Sequence, residues 1–162
     1  MSVAVDVSIE SPLWDAVADL EGLAQTAVAS ALGECRARVP AEAEVSCLFC
    51  DDRTIRSLNA RWRGQDKATN VLSFPSPQAP GAPALLGDIV LAFETVEREA
   101  AADRKPIADH VLHLLVHGTL HLVGHDHEEP EEAEAMEALE TRIMVALGRS
   151  DPYSEQTVTA IP

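Results

Sequence analysis

The eleven residues "HGTLHLVGHDH" (117–127) set His117 and His121 four apart, then Gly124, then His127. On a helix, a spacing of four puts two imidazoles on one face, one turn apart, which is how a helix offers two ligands to one ion. Glycine takes the left-handed conformation that ends a helix and turns the chain. That turn is needed, because His127 on a continued helix would lie far along the axis from His117. After a reversal it can fold back beside the pair. Three neutral imidazoles leave a fourth position open for water, the layout of a catalytic zinc site rather than a closed structural one.

The spacing matches the H-E-x-x-H-x-x-G-x-x-H skeleton of zinc proteases except at one letter. Gly118 stands where the general-base glutamate would follow the first histidine. His110 and His113 continue the stripe below His117. His113 and His117 could form an alternative ligand couple. The 117/121 couple is preferred, since only the helix end can meet His127. His113 is then a buried histidine that supports a ligand or is satisfied in the core, and His110 is expected near the surface. His125 competes with His127 but stands one residue too close to the glycine. Asp126 could orient a ligand through a hydrogen bond. Scattered core or surface histidines explain four histidines in eleven residues poorly. A structural zinc would want a fourth ligand, usually cysteine, and none lies near in sequence.

Outward from this stretch, apolar spacing places the histidine helix between Pro106 and about Val123. Strands are expected at 3–9, 43–50, 70–74 and 85–93, the last with a glycine that marks a bulge or a close backbone approach. Further helices are expected over 13–32 (stopped by Gly33), from a cap at Asp51 or Asp52 to about Trp62, over 94–103, and from Pro130 to about Leu147. "PSPQAPGAPA" (75–84) is a loop. The pattern is a single α+β domain over 1–150, with 151–162 as a loose C-terminal tail.

At 162 residues, 46% hydrophobic and 24% charged, the chain suits one globular domain with a real core. No apolar run approaches the ~20 residues of a membrane span, and the N-terminus lacks a signal-peptide pattern. An odd set of cysteines, Cys35, Cys47 and Cys50, fits reduced thiols and a cytoplasmic location. Cys47 and Cys50 sit in "EVSCLFCD", a buried-strand pattern in which positions three apart face opposite sides, so they are read as buried thiols. The net charge of −15 argues against non-specific nucleic-acid binding by the whole surface. Locally the balance differs. "DRTIRSLNARWRGQDK" (52–67) carries Arg53, Arg56, Arg61, Arg63 and Lys67 against Asp52 and Asp66. "EEPEEAEAMEALE" (128–140) carries seven glutamates and no base, and reads as a solvated helix face.

"HLLVHGTLHLVGHDH" (113–127), "LNARWRGQDKATNVLSFP" (58–75) and "LLGDIVLAFETVERE" (85–99) together resemble the bacterial YbeY family of rRNA maturation factors, in the family's order. Ala68 stands where that family usually has proline, and His125 where it often has tyrosine, which argues against His125 as a ligand. The resemblance implies a zincin-like core, a small mixed four-stranded sheet flanked by helices that include the metal-site helix. It implies a zinc-dependent, single-strand-specific endoribonuclease acting in 16S rRNA 3′-end maturation and ribosome quality control. Its partners would be single-stranded RNA, ribosomal subunits and ribosome-assembly proteins, with no membrane. The metal ligands carry over to His117, His121 and His127, and the functional arginine to Arg63.

On this reading one Zn²⁺ ion, or another divalent metal that accepts imidazole, polarises a phosphoryl oxygen or activates water. Arg63 supplies an always-charged planar fork for phosphate and faces the metal across a groove. A 2′-hydroxyl attacking its own phosphate is an equal alternative. Asp88 in "LGDI" is either a further polar group near the site or a strand-end residue. Arg56, Arg61 and Lys67 could hold flanking phosphates. Trp62 and Phe74 could stack a base, but are read as core. Two other functions stay open: a non-catalytic ribosome-assembly factor with a structural zinc, and a metalloprotease-like hydrolase, against which Gly118 speaks.

Overall fold

The computed structural model describes residues 3–35, 39–40, 42–77 and 84–153. Four strands form one sheet: β1 (Ala4–Ile9), β2 (Glu44–Cys50), β3 (Val71–Pro75) and β4 (Leu85–Ala92), in the order β1-β2-β4-β3. β1, β2 and β4 run parallel, and β3 runs antiparallel to β4 at one edge. The helices are α1 (Leu20–Glu34), α2 (Asp52–Arg63), α3 (Phe93–Ala102), α4 (Ile107–Leu122) and α5 (Pro130–Ala146). The expected class, α+β with a mixed four-stranded sheet, is what the chain adopts.

Strand alternation sorts the side chains between two apolar clusters. Val45, Cys47, Phe49, Ile89 and Leu91 point into the main core with α1, α4 and α5. Cys50, Leu72, Val90 and Ala92 form a smaller cluster with Ile55 and Leu58 of α2. Cys47 and Cys50 are therefore buried on opposite faces as free thiols. Burial pushes both thiols from the ordinary value of 9.0 up to about 12.

α4 touches α1, α3, α5, β3 and β4, and all but four of its 16 residues are buried. Each Leu or Val buried along it is worth roughly 1.5–3 kcal/mol of transfer free energy. A functional side chain on this helix is therefore held by the most constrained element of the protein.

The expected helix over 13–32 is two elements. Pro12–Ala16 forms a short 3₁₀ helix capped by the Ser11 hydroxyl, and Val17 is extended. Asp19, at φ 55°, restarts the chain as α1 by accepting the Gly22 N–H at 3.1 Å. The break turns Trp14 inward, where its Nε1–H donates to the Cys50 carbonyl at 2.8 Å and its ring meets Phe49 and Phe93 edge-on. Gly33 does not stop α1, which runs on through Glu34. β4 ends at Ala92, and Phe93 opens α3.

Gly87 takes φ +152° where β3 crosses closely: a Cβ there would stand 2.4 Å from the Phe74 carbonyl oxygen. The pairing register also slips here, from Glu44↔Leu85 to Val45↔Gly87, so the strand glycine marks both a bulge and a close approach.

Asp151 and Tyr153 are hydrogen-bonded to α5. The Asp151 carboxylate accepts from the Thr141 hydroxyl and the Tyr153 N–H, and Tyr153 donates to Glu140 at 2.8 Å. Residues 154–162, and residues 78–83 of the proline-rich loop, lie outside the described residues.

Candidate metal centre

α4 ends as its sequence requires. Gly124 takes φ +100°, its N–H reaches the His121 carbonyl at 3.1 Å, and the His125 N–H reaches that of Leu120 at 3.0 Å. This pair of bonds is the Schellman closure, and it sends the chain back toward the helix. The Asp126 carboxylate then accepts the His127 N–H at 2.7 Å. Asp126 thus fixes His127 through its backbone, not through its ring.

The reversal brings the three rings together. Ligand nitrogens of His117, His121 and His127 all lie within 4.8 Å of one another. The Nε2 atoms of His117 and His121 are 3.0 Å apart. Tetrahedral bonds of ~2.0–2.1 Å to a zinc ion would set ligand nitrogens about 3.3 Å apart, close to that spacing. His127 Nε2 is buried with no hydrogen-bond partner. A buried, unpaired ring nitrogen beside two converging ones fits a shared cation. Burial first, and then the neighbouring charges of His117 and His127, lower His121 to about 4. Its imidazole is neutral at pH 7, as a metal ligand must be.

The ring of His117 is set from behind. Its Nδ1 bonds Glu140 Oε2 at 3.2 Å, leaving Nε2 for the ion. Glu140 is fully buried, and its other oxygen is bonded by His113 Nε2 at 2.6 Å and the Tyr153 hydroxyl at 2.8 Å. Burial alone would raise this carboxyl, but the hydrogen bonds from His113 and His117 outweigh it and hold it down at about 2. A carboxylate behind a metal-binding histidine fixes the tautomer and raises ligand basicity.

Glu140 is the residue the sequence reading missed. The acidic helix was expected to be a solvated face, and Glu131, Glu132, Glu134 and Glu137 are indeed exposed. However, Met136, Leu139, Ile143 and Met144 make the buried stripe of α5, and Glu140 falls on it. A glutamate in register with an apolar stripe was the available signal.

The other histidines do not join the cluster. His113 is buried against Glu140, and burial lowers its pKa. His110, expected near the surface, is buried and bonded to Glu99 at 2.8 Å, because the α4 stripe it continues faces the core. His125 contributes through its backbone N–H, which closes the helix end on the Leu120 carbonyl.

Gly118 has a steric explanation. A Cβ at this position would lie 2.9 Å from Ile89 Cγ2 and 3.0 Å from Ser73 Oγ. α4 lies so close to the sheet that the position of the protease glutamate holds no side chain. Ser73, also missed, donates its hydroxyl to the Gly118 carbonyl at 3.2 Å.

Arg63 reaches the same strand from the other side. Its guanidinium donates to the Ser73 carbonyl and lies 5.0 Å above the Phe74 ring. Asn59 fixes the turn that follows Arg63, accepting from the Gln65 N–H and donating to the Lys67 carbonyl at 3.0 Å. Arg63 and the backbone of Gly118, the residue after His117, are thus linked through Ser73 of the edge strand β3. Asp88 is not part of this cluster. It alternates with Ile89, so it points to the face away from α4, exposed and opposite Phe74. Arg61 and Lys67 are exposed, while Arg56 is engaged by Asp66 at 2.9 and 3.2 Å. Trp62, expected in the core, is 60% exposed.

A family model described as Endoribonuclease YbeY matches residues 10–148. This chain belongs to the YbeY endoribonuclease family. The Endoribonuclease YbeY of Methylocella silvestris is 48% identical over 155 residues, covering 96% of this chain and 88% of that protein. The one from Rhizobium meliloti is 51% identical over 161 residues, covering 94% and 95%. The solution structure of TM1509 from Thermotoga maritima shares the fold, with a TM-score of 0.54 at 23% identity over 94% of this chain and 97% of that one. Among the described residues, no helix of this YbeY-family chain is long and apolar enough to cross a membrane.

Proposed function

We propose that this protein is a metal-dependent endoribonuclease that cuts single-stranded RNA, with 16S rRNA 3′-end maturation and ribosome quality control as its setting in the cytoplasm. What supports the reading is family membership together with one observation: three imidazole nitrogens converge within 4.8 Å at the end of the most buried helix. The donor set of three neutral imidazoles suits one Zn²⁺ ion. His117, His121 and His127 would hold that cation, which when bound would supply positive charge for a phosphoryl oxygen.

The chain's own groups do the rest. Glu140 keeps the proton of His117 on Nδ1, so that Nε2 stays bare. Arg63, at the end of α2 and bonded to the Ser73 carbonyl of the edge strand β3, presents its remaining N–H donors to a non-bridging phosphate oxygen. Phosphodiester cleavage draws on such charge neutralisation and in-line positioning. A peptide bond would need a base next to His117, and position 118 has no room for one. Arg61 and Lys67 hold flanking phosphates, with Arg56 available only by leaving Asp66. The RNA arrives as part of ribosomal subunits, in contact with ribosome-assembly proteins.

The experiment is cleavage of an unstructured RNA with and without chelator, using wild type, His121→Ala and Arg63→Ala proteins. Chelation should stop cleavage, and added Zn²⁺ should restore it. His121→Ala should lose the metal in elemental analysis. Arg63→Ala should keep the metal and lose cleavage. Binding of ribosomal subunits without any cleavage by the metal-loaded wild type would favour a non-catalytic assembly factor instead.

A further inference from the structure

Trp62 has no place in either apolar cluster, although it is one of the chain's two tryptophans. The other, Trp14, is 1% exposed, against 60% for Trp62. Tryptophan carries the largest apolar surface of any side chain, and leaving most of it in water forgoes the main gain of folding. Ile9, Leu13 and Val145 are also exposed, but Trp62 alone of these sits in a run of cations. Its neighbours in sequence are Arg61 and Arg63, and the Arg61 guanidinium carbon lies 5.0 Å from its ring centre. Along the same helix runs an open depression lined by Arg53, Arg56, Ser57, Ala60, Arg61 and Asp66. In a chain of net charge −15, this is where positive charge gathers around an exposed aromatic face.

We propose that Trp62 is a stacking platform for a nucleobase of the bound single strand, next to the nucleotide whose phosphate Arg63 engages, and that Arg61 holds the backbone of the stacked nucleotide. The inference rests on the proposed nuclease reading for the identity of the strand. Its argument is chemical complementarity. A groove of cations tracks an anionic backbone, and an aromatic face takes any base, because every base has a π-face. Cation and ring also reinforce each other, since an arginine over an indole orders the ring it covers. A platform of this kind reads single-strandedness, because a base inside a duplex has no free face to offer.

Intrinsic tryptophan emission tests this directly, since Trp14 is buried and only Trp62 is exposed. The metal-loaded protein is titrated with a short single-stranded oligodeoxythymidylate and with an abasic oligonucleotide of the same length and charge. The thymidylate should quench emission saturably and bind more tightly than the abasic strand by roughly 5- to 150-fold, the range of one base–aromatic stack. With the strands end-labelled and read by fluorescence anisotropy, Trp62→Ala should bind both alike, and Trp62→Phe should keep most of the preference. The platform is overturned if wild type binds the two strands equally, if it binds neither, or if Trp62→Ala keeps the preference. Loss of RNA cleavage with base-dependent quenching intact would count against the nuclease reading and leave the platform standing. Cleavage with equal affinities would do the reverse.

Discussion

His117 Nδ1 and Glu140 Oε2 lie 3.2 Å apart, joining the middle of α4 to the buried side of α5. The same carboxylate bonds His113 and Tyr153 through its other oxygen. One fully buried glutamate therefore ties the candidate metal helix to the C-terminal helix and to the residues that follow it.

Replacing Glu140 should loosen the ion more than the fold. Glu140→Gln keeps the shape but offers His117 and His113 only one acceptor oxygen between them. Metal affinity should fall by about 10- to 100-fold, the usual effect of losing a partner behind a ligand. Competition against a chromophoric chelator measures it. An unchanged affinity would mean that His117 is oriented by packing alone.

Gly118→Ala sets two effects against each other. Alanine is favoured over glycine in a helix by about 1 kcal/mol. The new methyl would press on Ile89 and Ser73 at 2.9 and 3.0 Å. Overpacking a core costs about 1–3 kcal/mol, so the variant should be destabilised on balance. Urea denaturation reads the sign. A more stable variant would show that α4 can shift off the sheet.

Gly124→Ala isolates the chain reversal. A Cβ at this position meets nothing within 4 Å, so only the backbone objects, at φ +100°. The left-handed conformation costs an alanine about 1–2 kcal/mol. Both the melting temperature and the metal affinity should drop, because the turn also delivers His127. A drop in stability with unchanged metal affinity would mean that Asp126 alone positions that ring.

Cys47 and Cys50 make stability fall in alkali. Their thiols rise from 9.0 to about 12 on folding, chiefly through burial. Above about pH 9 the unfolded chain releases these protons while the folded protein keeps them, so stability declines from there until pH 12. Urea midpoints at pH 7.5 and 10 should show the fall, and Cys47→Ala with Cys50→Ala should reduce it. At pH 8 both thiols should resist a disulfide reagent until the protein unfolds.

Periodic features were legible in the chain itself. The four strands, the 117/121 spacing and the glycine that closes α4 follow from local rules of side-chain repeat and backbone conformation. The break at Val17 was not, because the apolar spacing of 13–32 suits one helix, and only the pull of Trp14 toward Phe49 and Phe93 divides it. Trp62 was misread for the converse reason: its type favours burial, but the face of α2 that carries it has no element to pack against.

Gly118 shows where the two sources of information part. The letters alone said that a protease base was missing and that three histidines could still meet. They could not say why, since the reason lies in Ile89 and Ser73, far away in sequence. Glu140 is the same case. Composition made it one of seven glutamates in an acidic stretch, and tertiary packing made it the buried partner of His117. Sequence determined the family, most of the elements and the spacing that lets His117, His121 and His127 meet, because each is written in the chain's own patterns. Tertiary structure decided what backs, covers and borders the ligands, because those contacts join segments that no local pattern connects.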